Sequence, residues 1–135
     1  MLWATPRSRA LRILVLDDHP GVRQLIVLIL EQAGHLVDDV ANATEAIAHL
    51  RQVAYDVVLS DQLSGVGLAA EVRRRWPDVG FILTTGLGSR ITPERAAAAG
   101  VDALLAKPFC SAELRELVRQ VCAPLSQWRE YRVAR

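Results

Sequence analysis

Short apolar runs alternate along this chain with stretches whose apolar positions recur at helical spacing, and four of the runs stop on a polar residue. Ile13 to Leu16 runs into Asp17-Asp18, Val57 to Ser60 into Asp61, Phe81 to Thr84 into Thr85, and Ala103 to Ala106 into Lys107-Pro108. Continuous apolar runs bounded by turn signals, without the alternation of a half-solvated strand, predict strands buried on both faces of a parallel sheet. A fifth run, Leu36 to Val40, carries Asp38 and Asp39 and suits a sheet edge. Between the runs, Val22, Leu25, Ile26, Ile29, Leu30 and Ala33 predict a first helix opened by Pro20 and closed by Gly34. Asn42, with Glu45 three residues on, predicts a capped second helix with Ala46, Ile47, Leu50 and Val53 on its apolar face. The third helix is expected from about Leu68 through Val72 to Trp76, stopping at Pro77. Thr92-Pro93-Glu94 opens an alanine-rich fourth, closed by Gly100; Leu114, Leu117, Val118 and Val121 mark a fifth, ended by Pro124. Strands alternating with helices imply an α/β fold, a doubly wound five-stranded parallel sheet covered on both faces by right-handed crossovers.

The composition supports one such domain. With 135 residues, 51% hydrophobic and 23% charged, the chain can bury an ordinary core. The pattern occupies residues 11–122, leaving an N-terminal extension at 1–10 and a C-terminal tail at 123–135, both expected to be mobile. A net charge of +1 supplies no field to draw in nucleic acid or an acidic membrane, and Arg73-Arg74-Arg75 reads as a solvated helix face. Cys110 and Cys122 fall about three turns apart on one helix, too far for a bridge. Nothing in residues 1–12 resembles a signal peptide, and Leu25 to Leu30 is too short to span a bilayer, so a cytoplasmic protein is expected.

In open parallel sheets, ligands bind outside the carboxyl ends of the strands. Asp17, Asp18, Asp61, Thr85 and Lys107 all stand there. Three anionic oxygen donors without histidine or thiolate suit a hard cation that keeps several waters, with magnesium the usual occupant, and Lys107 adds one fixed positive charge. The bland alternative makes Asp17-Asp18 a helix cap. His19, His35 and His49 read as unremarkable surface or loop residues, and Cys110 as a quiet cap-position cysteine.

Over residues 11–122 the chain resembles the receiver domain of bacterial two-component response regulators. The matching segments are Val15-Leu16-Asp17-Asp18-His19-Pro20, Asp56-Val57-Val58-Leu59-Ser60-Asp61, Leu83-Thr84-Thr85-Gly86 and Lys107-Pro108-Phe109. The resemblance implies the flavodoxin-like (βα)5 fold with strand order 2-1-3-4-5, which makes the first and third strands neighbours. It implies that Asp61 is the phosphoacceptor, taking a phosphoryl group from a histidine kinase or histidine phosphotransfer protein. It further implies Mg2+ held by Asp17, Asp18, Asp61 and the backbone carbonyl of Leu63, with Lys107 and Thr85 contacting phosphoryl oxygens. Leu63 and Leu87 would line the path of the hydrolytic water.

Two departures stand out. Gln62-Leu63-Ser64-Gly65-Val66 makes a loop two residues shorter than is usual in the family and lacks its Met-Pro pair, and Leu104 stands where many receivers carry an aromatic ring. The expected function is a phosphoacceptor signalling domain, not a turnover enzyme, acting through an unidentified downstream protein without nucleic-acid or membrane contact. The alternatives are a phosphorylation-independent interaction module and, less well matched, a phosphatase working through an aspartyl phosphate. The latter class places its nucleophile in an Asp-x-Asp pair, unlike Asp17-Asp18.

Overall fold

The computed structural model describes residues 10–86 and 89–122, with the side chains of residues 62–65 outside that description. Five strands and five helices alternate: β1 (Arg12–Leu16), α1 (Pro20–Gln32), β2 (Leu36–Val40), α2 (Ala43–Gln52), β3 (Val57–Asp61), α3 (Gln62–Arg75), β4 (Gly80–Thr85), α4 (Pro93–Ala98), β5 (Ala103–Ala106) and α5 (Ser111–Val121). All strand pairings are parallel, in the order β2-β1-β3-β4-β5.

Because successive strand residues face opposite sides, the apolar runs feed two cores. Ile13, Val15, Val57, Leu59, Ile82, Ala103 and Leu105 face α1 and α5, where Ile26, Leu30, Leu114, Leu117, Val118 and Val121 meet them. Leu14, Leu16, Val58, Phe81 and Leu83 face the other layer, against Ala46, Leu50, Leu68, Ala69, Val72 and Ala96. Edge strand β2 spends its acids on neighbours: the Tyr55 hydroxyl donates to Asp38 at 2.5 Å, and burial followed by that bond pushes the phenol pKa up.

The helix boundaries follow their caps. Asn42 accepts from the Glu45 N–H at 2.9 Å and Thr92 from the Arg95 N–H at 3.1 Å, while Glu113 accepts the Cys110 N–H at 2.9 Å. Gly34 and Gly100 leave their helices at φ 95° and 99°, where a side chain would be strained. Cys110 and Cys122 form no bridge with each other. Among the described residues no helix is long and apolar enough to cross a membrane.

Four expectations need correction. The third helix starts at Gln62, directly on the end of β3, rather than near Leu68. No proline interrupts residues 62–67, so nothing removes a backbone donor or bars the first helical turns. His19 is the N-cap of α1, its Nδ1 accepting the Val22 N–H at 3.2 Å. Arg73 is no solvated bystander, since it pairs with buried Asp102 at 2.6 Å. His35 is buried and its Nδ1 accepts the Leu11 N–H at 3.1 Å.

That last bond requires a neutral ring, and burial pulls the His35 pKa below its ordinary 6.5, with Asp56 opposing. The unfolded chain therefore binds the extra proton first. The stability His35 contributes is complete above pH 6.5 and declines as pH falls through the interval between 6.5 and the lower folded-state value. Denaturant midpoints at about pH 7.5 and about pH 5.5 should differ less in His35→Gln than in the native chain. An identical pH response in the two proteins would remove His35 as the cause.

Candidate functional site

The register carries the chain to the site. Leu16 pairs with Ser60, so β1 and β3 end side by side, delivering Asp17 just beyond β1 and Asp61 as the last residue of β3. Next to them Asp61 pairs with Thr84, and Thr85 pairs with Ala106 at the ends of β4 and β5. The Lys107 N–H then donates to the Thr85 carbonyl at 2.6 Å, extending the ladder by one residue before the cis bond to Pro108.

Carboxylate oxygens of Asp17, Asp18 and Asp61 lie within 4.8 Å of one another. Asp17 is 2% and Asp61 6% exposed, while Asp18 faces solvent. Asp17 Oδ1 accepts the His19 N–H at 2.8 Å, and the Asp18 N–H approaches Asp61 Oδ2 at 3.5 Å. The Lys107 ammonium stands 3.6 Å from Asp17 Oδ2. Asp17 and Asp18 do not cap α1, because His19 does.

Asp17 Oδ2 is buried and has no hydrogen-bond partner among the described residues. A buried anionic oxygen in that state is costly unless a cation meets it, and one ammonium at 3.6 Å does not neutralise three carboxylates. The donor set is oxygen only, open to water on the Asp18 side. It fits a hard divalent cation such as Mg2+, which accepts a few carboxylates and keeps its remaining waters. The Leu63 carbonyl lies in the first turn of α3, directly beyond Asp61, and Leu87 lies outside the described residues.

Thr85 is buried at the end of β4, the strand alternation turning its hydroxyl from that of Thr84, which reaches back toward the Ser60 carbonyl at 3.4 Å. The sequence reading passed over Arg23. Its guanidinium donates to the Asp17 carbonyl at 2.7 Å and to Asp39 at 2.9 Å. Neither partner is on its own helix, so no local spacing betrays the contact. A groove of about 960 Å³ lies between α3 and α4, lined by Ala96, Ala97, Ala99 and the half-buried Leu104. None of Asp17, Asp18, Asp61, Thr85 and Lys107 lines it.

Residues 13–119 match the response regulator receiver domain family. Response regulator Rre1 of Synechocystis is 33% identical over 86% of this chain and 53% of its own length. Transcriptional regulatory protein ResD of Bacillus subtilis is 30% identical over 84% of this chain and 48% of its own. The chain thus spans about half the length of these curated relatives. Among solved structures, chemotaxis response regulator CheY4 of Vibrio cholerae superposes with a TM-score of 0.76 at 25% identity, covering 84% of this chain and 99% of that one. The receiver domain of NtrX from Brucella abortus also gives 0.76, at 27% identity over 82% of this chain and 97% of its own.

Proposed function

This chain belongs to the response regulator receiver family of two-component systems, and on that premise we propose that it takes a phosphoryl group onto Asp61 from a histidine kinase or histidine phosphotransfer protein. One observation carries the reading: three carboxylates converge within 4.8 Å at the carboxyl edge of the sheet, with a buried Asp17 oxygen lacking a hydrogen bond and a lysine beside it. Asp61 attacks phosphorus through a carboxylate oxygen as the bond from phosphorus to the donor imidazole nitrogen breaks. The nitrogen keeps the electron pair, and an acyl phosphate remains.

Such a transfer asks the protein mainly to align the groups and neutralise charge on the equatorial oxygens. Asp17, Asp18 and Asp61, with the Leu63 carbonyl, would hold Mg2+. That ion, when bound, supplies positive charge against the phosphoryl oxygens. Lys107, already beside Asp17, turns to one phosphoryl oxygen, and the Thr85 hydroxyl donates to another. The working unit is residues 11–122, cytoplasmic, signalling through protein contacts. Leu104, without an aromatic ring, makes the change at its face modest.

Acetyl phosphate with Mg2+ should add one phosphoryl group to the protein, and a protein that stays unlabelled defeats the reading. Asp18→Ala deletes the exposed anionic donor and should weaken Mg2+ binding by more than about tenfold, the scale that even outer-shell changes reach, while the protein stays folded. Calorimetric titration measures this. Equal affinity in the two proteins would place the ion elsewhere.

A further inference from the structure

We infer that Arg23 is a positioning residue for the metal-binding turn, acting through the peptide unit that joins Asp17 to Asp18. The inference rests on the receiver chemistry proposed above. Arg23 sits near the N-terminus of α1, where the helix dipole disfavours a cation and where the first turn carries no acid to offset it. Its side chain is nonetheless only 17% exposed, held at both ends. One guanidinium nitrogen donates to the Asp17 carbonyl at 2.7 Å and another to Asp39 Oδ2 at 2.9 Å. Asp39 belongs to β2 and pairs with Val15 of β1, so Arg23 bolts the first helix to the sheet across the point where the acidic turn leaves β1.

Planarity transmits that grip. A trans peptide directs its C=O and N–H in opposite senses, so a carbonyl held by Arg23 fixes the direction of the Asp18 N–H. That N–H approaches Asp61 Oδ2 at 3.5 Å. The same plane sets the direction in which Asp18 leaves the backbone. Arg23 thereby aligns two of the three carboxylates without touching either carboxylate group.

Coulomb's law alone predicts the opposite effect, because removing a cation near an acidic cluster should tighten Mg2+ binding. The sign therefore separates positioning from charge. In Arg23→Gln, the Mg2+ dissociation constant should rise about tenfold, as for other outer-shell partners. Arg23→Lys should recover only part of this, since an ammonium keeps the charge but loses the two-ended fork. In metal-free protein, the Asp18 amide resonance should move in Arg23→Gln while those of Ile82 and Val118 hold still. Asp39→Asn, which weakens the other end, should reduce affinity in the same direction and add little in the double variant. If Arg23→Gln does not fold, Arg23→Lys decides the matter, because it keeps the charge and only a positioning role then weakens Mg2+ binding.

Native protein that neither binds Mg2+ nor takes label from acetyl phosphate would overturn the receiver chemistry, and this inference with it. Native protein that does both, with unchanged or tighter Mg2+ binding in Arg23→Gln, would overturn the positioning role alone.

Discussion

Asp61→Asn is expected to bring phosphoryl incorporation from acetyl phosphate below detection while leaving the fold intact. The step needs a carboxylate oxygen with a full negative charge, and an amide presents none. The replacement is nearly isosteric, so a side chain that is 6% exposed at the end of β3 keeps its packing. Asp17 and Asp18 remain in the cluster as possible acceptors, which makes the test sharp. Asp17 is committed elsewhere, one oxygen accepting the His19 N–H at 2.8 Å and the other lying 3.6 Å from Lys107. Asp18 projects into solvent from a turn rather than standing at a strand end. Intact-mass measurement with Mg2+ and acetyl phosphate reads the outcome directly, and label persisting in Asp61→Asn would move the acceptor to one of those two residues.

The sheet was legible in the sequence because β1, β3, β4 and β5 are largely buried on both faces and so appear as apolar runs with polar ends. Capped helices were legible too, since Asn42 with Glu45 and Thr92 before Pro93 act within three residues. The convergence of Asp17 and Asp61 was less so: it depends on β1 pairing with β3 rather than on local pattern, and strand order came only from the resemblance. Other features escaped for related reasons. The first turns of α3 carry two glycines, at 65 and 67, which are weak helix formers and hide a start at Gln62, so the apolar pattern points to Leu68 instead. His19 carries no cap signal in the sequence, because histidine is not among the preferred N-cap residues, yet its Nδ1 accepts as a carboxylate would. Arg23 and Arg73 looked like ordinary surface cations, their partners lying on other elements.

Carboxylates at the opposite edge of the sheet answer to a different logic, and Asp102→Ala should be among the most destabilising single changes in the protein. The Asp102 side chain is 1% exposed, and its Oδ2 accepts from Arg73 at 2.6 Å and from the Phe81 N–H at 2.8 Å. Its own N–H donates to the Phe81 carbonyl at 2.8 Å, so β4 and the entry to β5 are tied in both directions. Arg73 donates further to the carbonyls of Gly100, at 3.0 Å, and Pro77, at 2.6 Å, drawing the end of α3 into the same corner. The corner is also tight: a Cβ on Gly100 would stand 2.9 Å from the Arg73 Cβ and 3.1 Å from the Ala69 carbonyl. Truncating Asp102 removes the acceptor of a buried N–H and leaves a half-buried guanidinium without its counter-charge. Breaking a buried pair from one side costs about 3–5 kcal/mol, against a total stability of about 5–15 kcal/mol for a domain. Asp102→Asn, which retains an acceptor for the Phe81 N–H but gives up the charge, should cost less than half as much. Asp18→Ala, relieving repulsion among carboxylates at the functional edge, should cost little or even stabilise the metal-free protein. Urea denaturation of the three variants orders them. A loss below about 1 kcal/mol for Asp102→Ala, within the ordinary range for an exposed ion pair, would show that solvent reaches this corner and that the network there is not what joins β5 to the sheet.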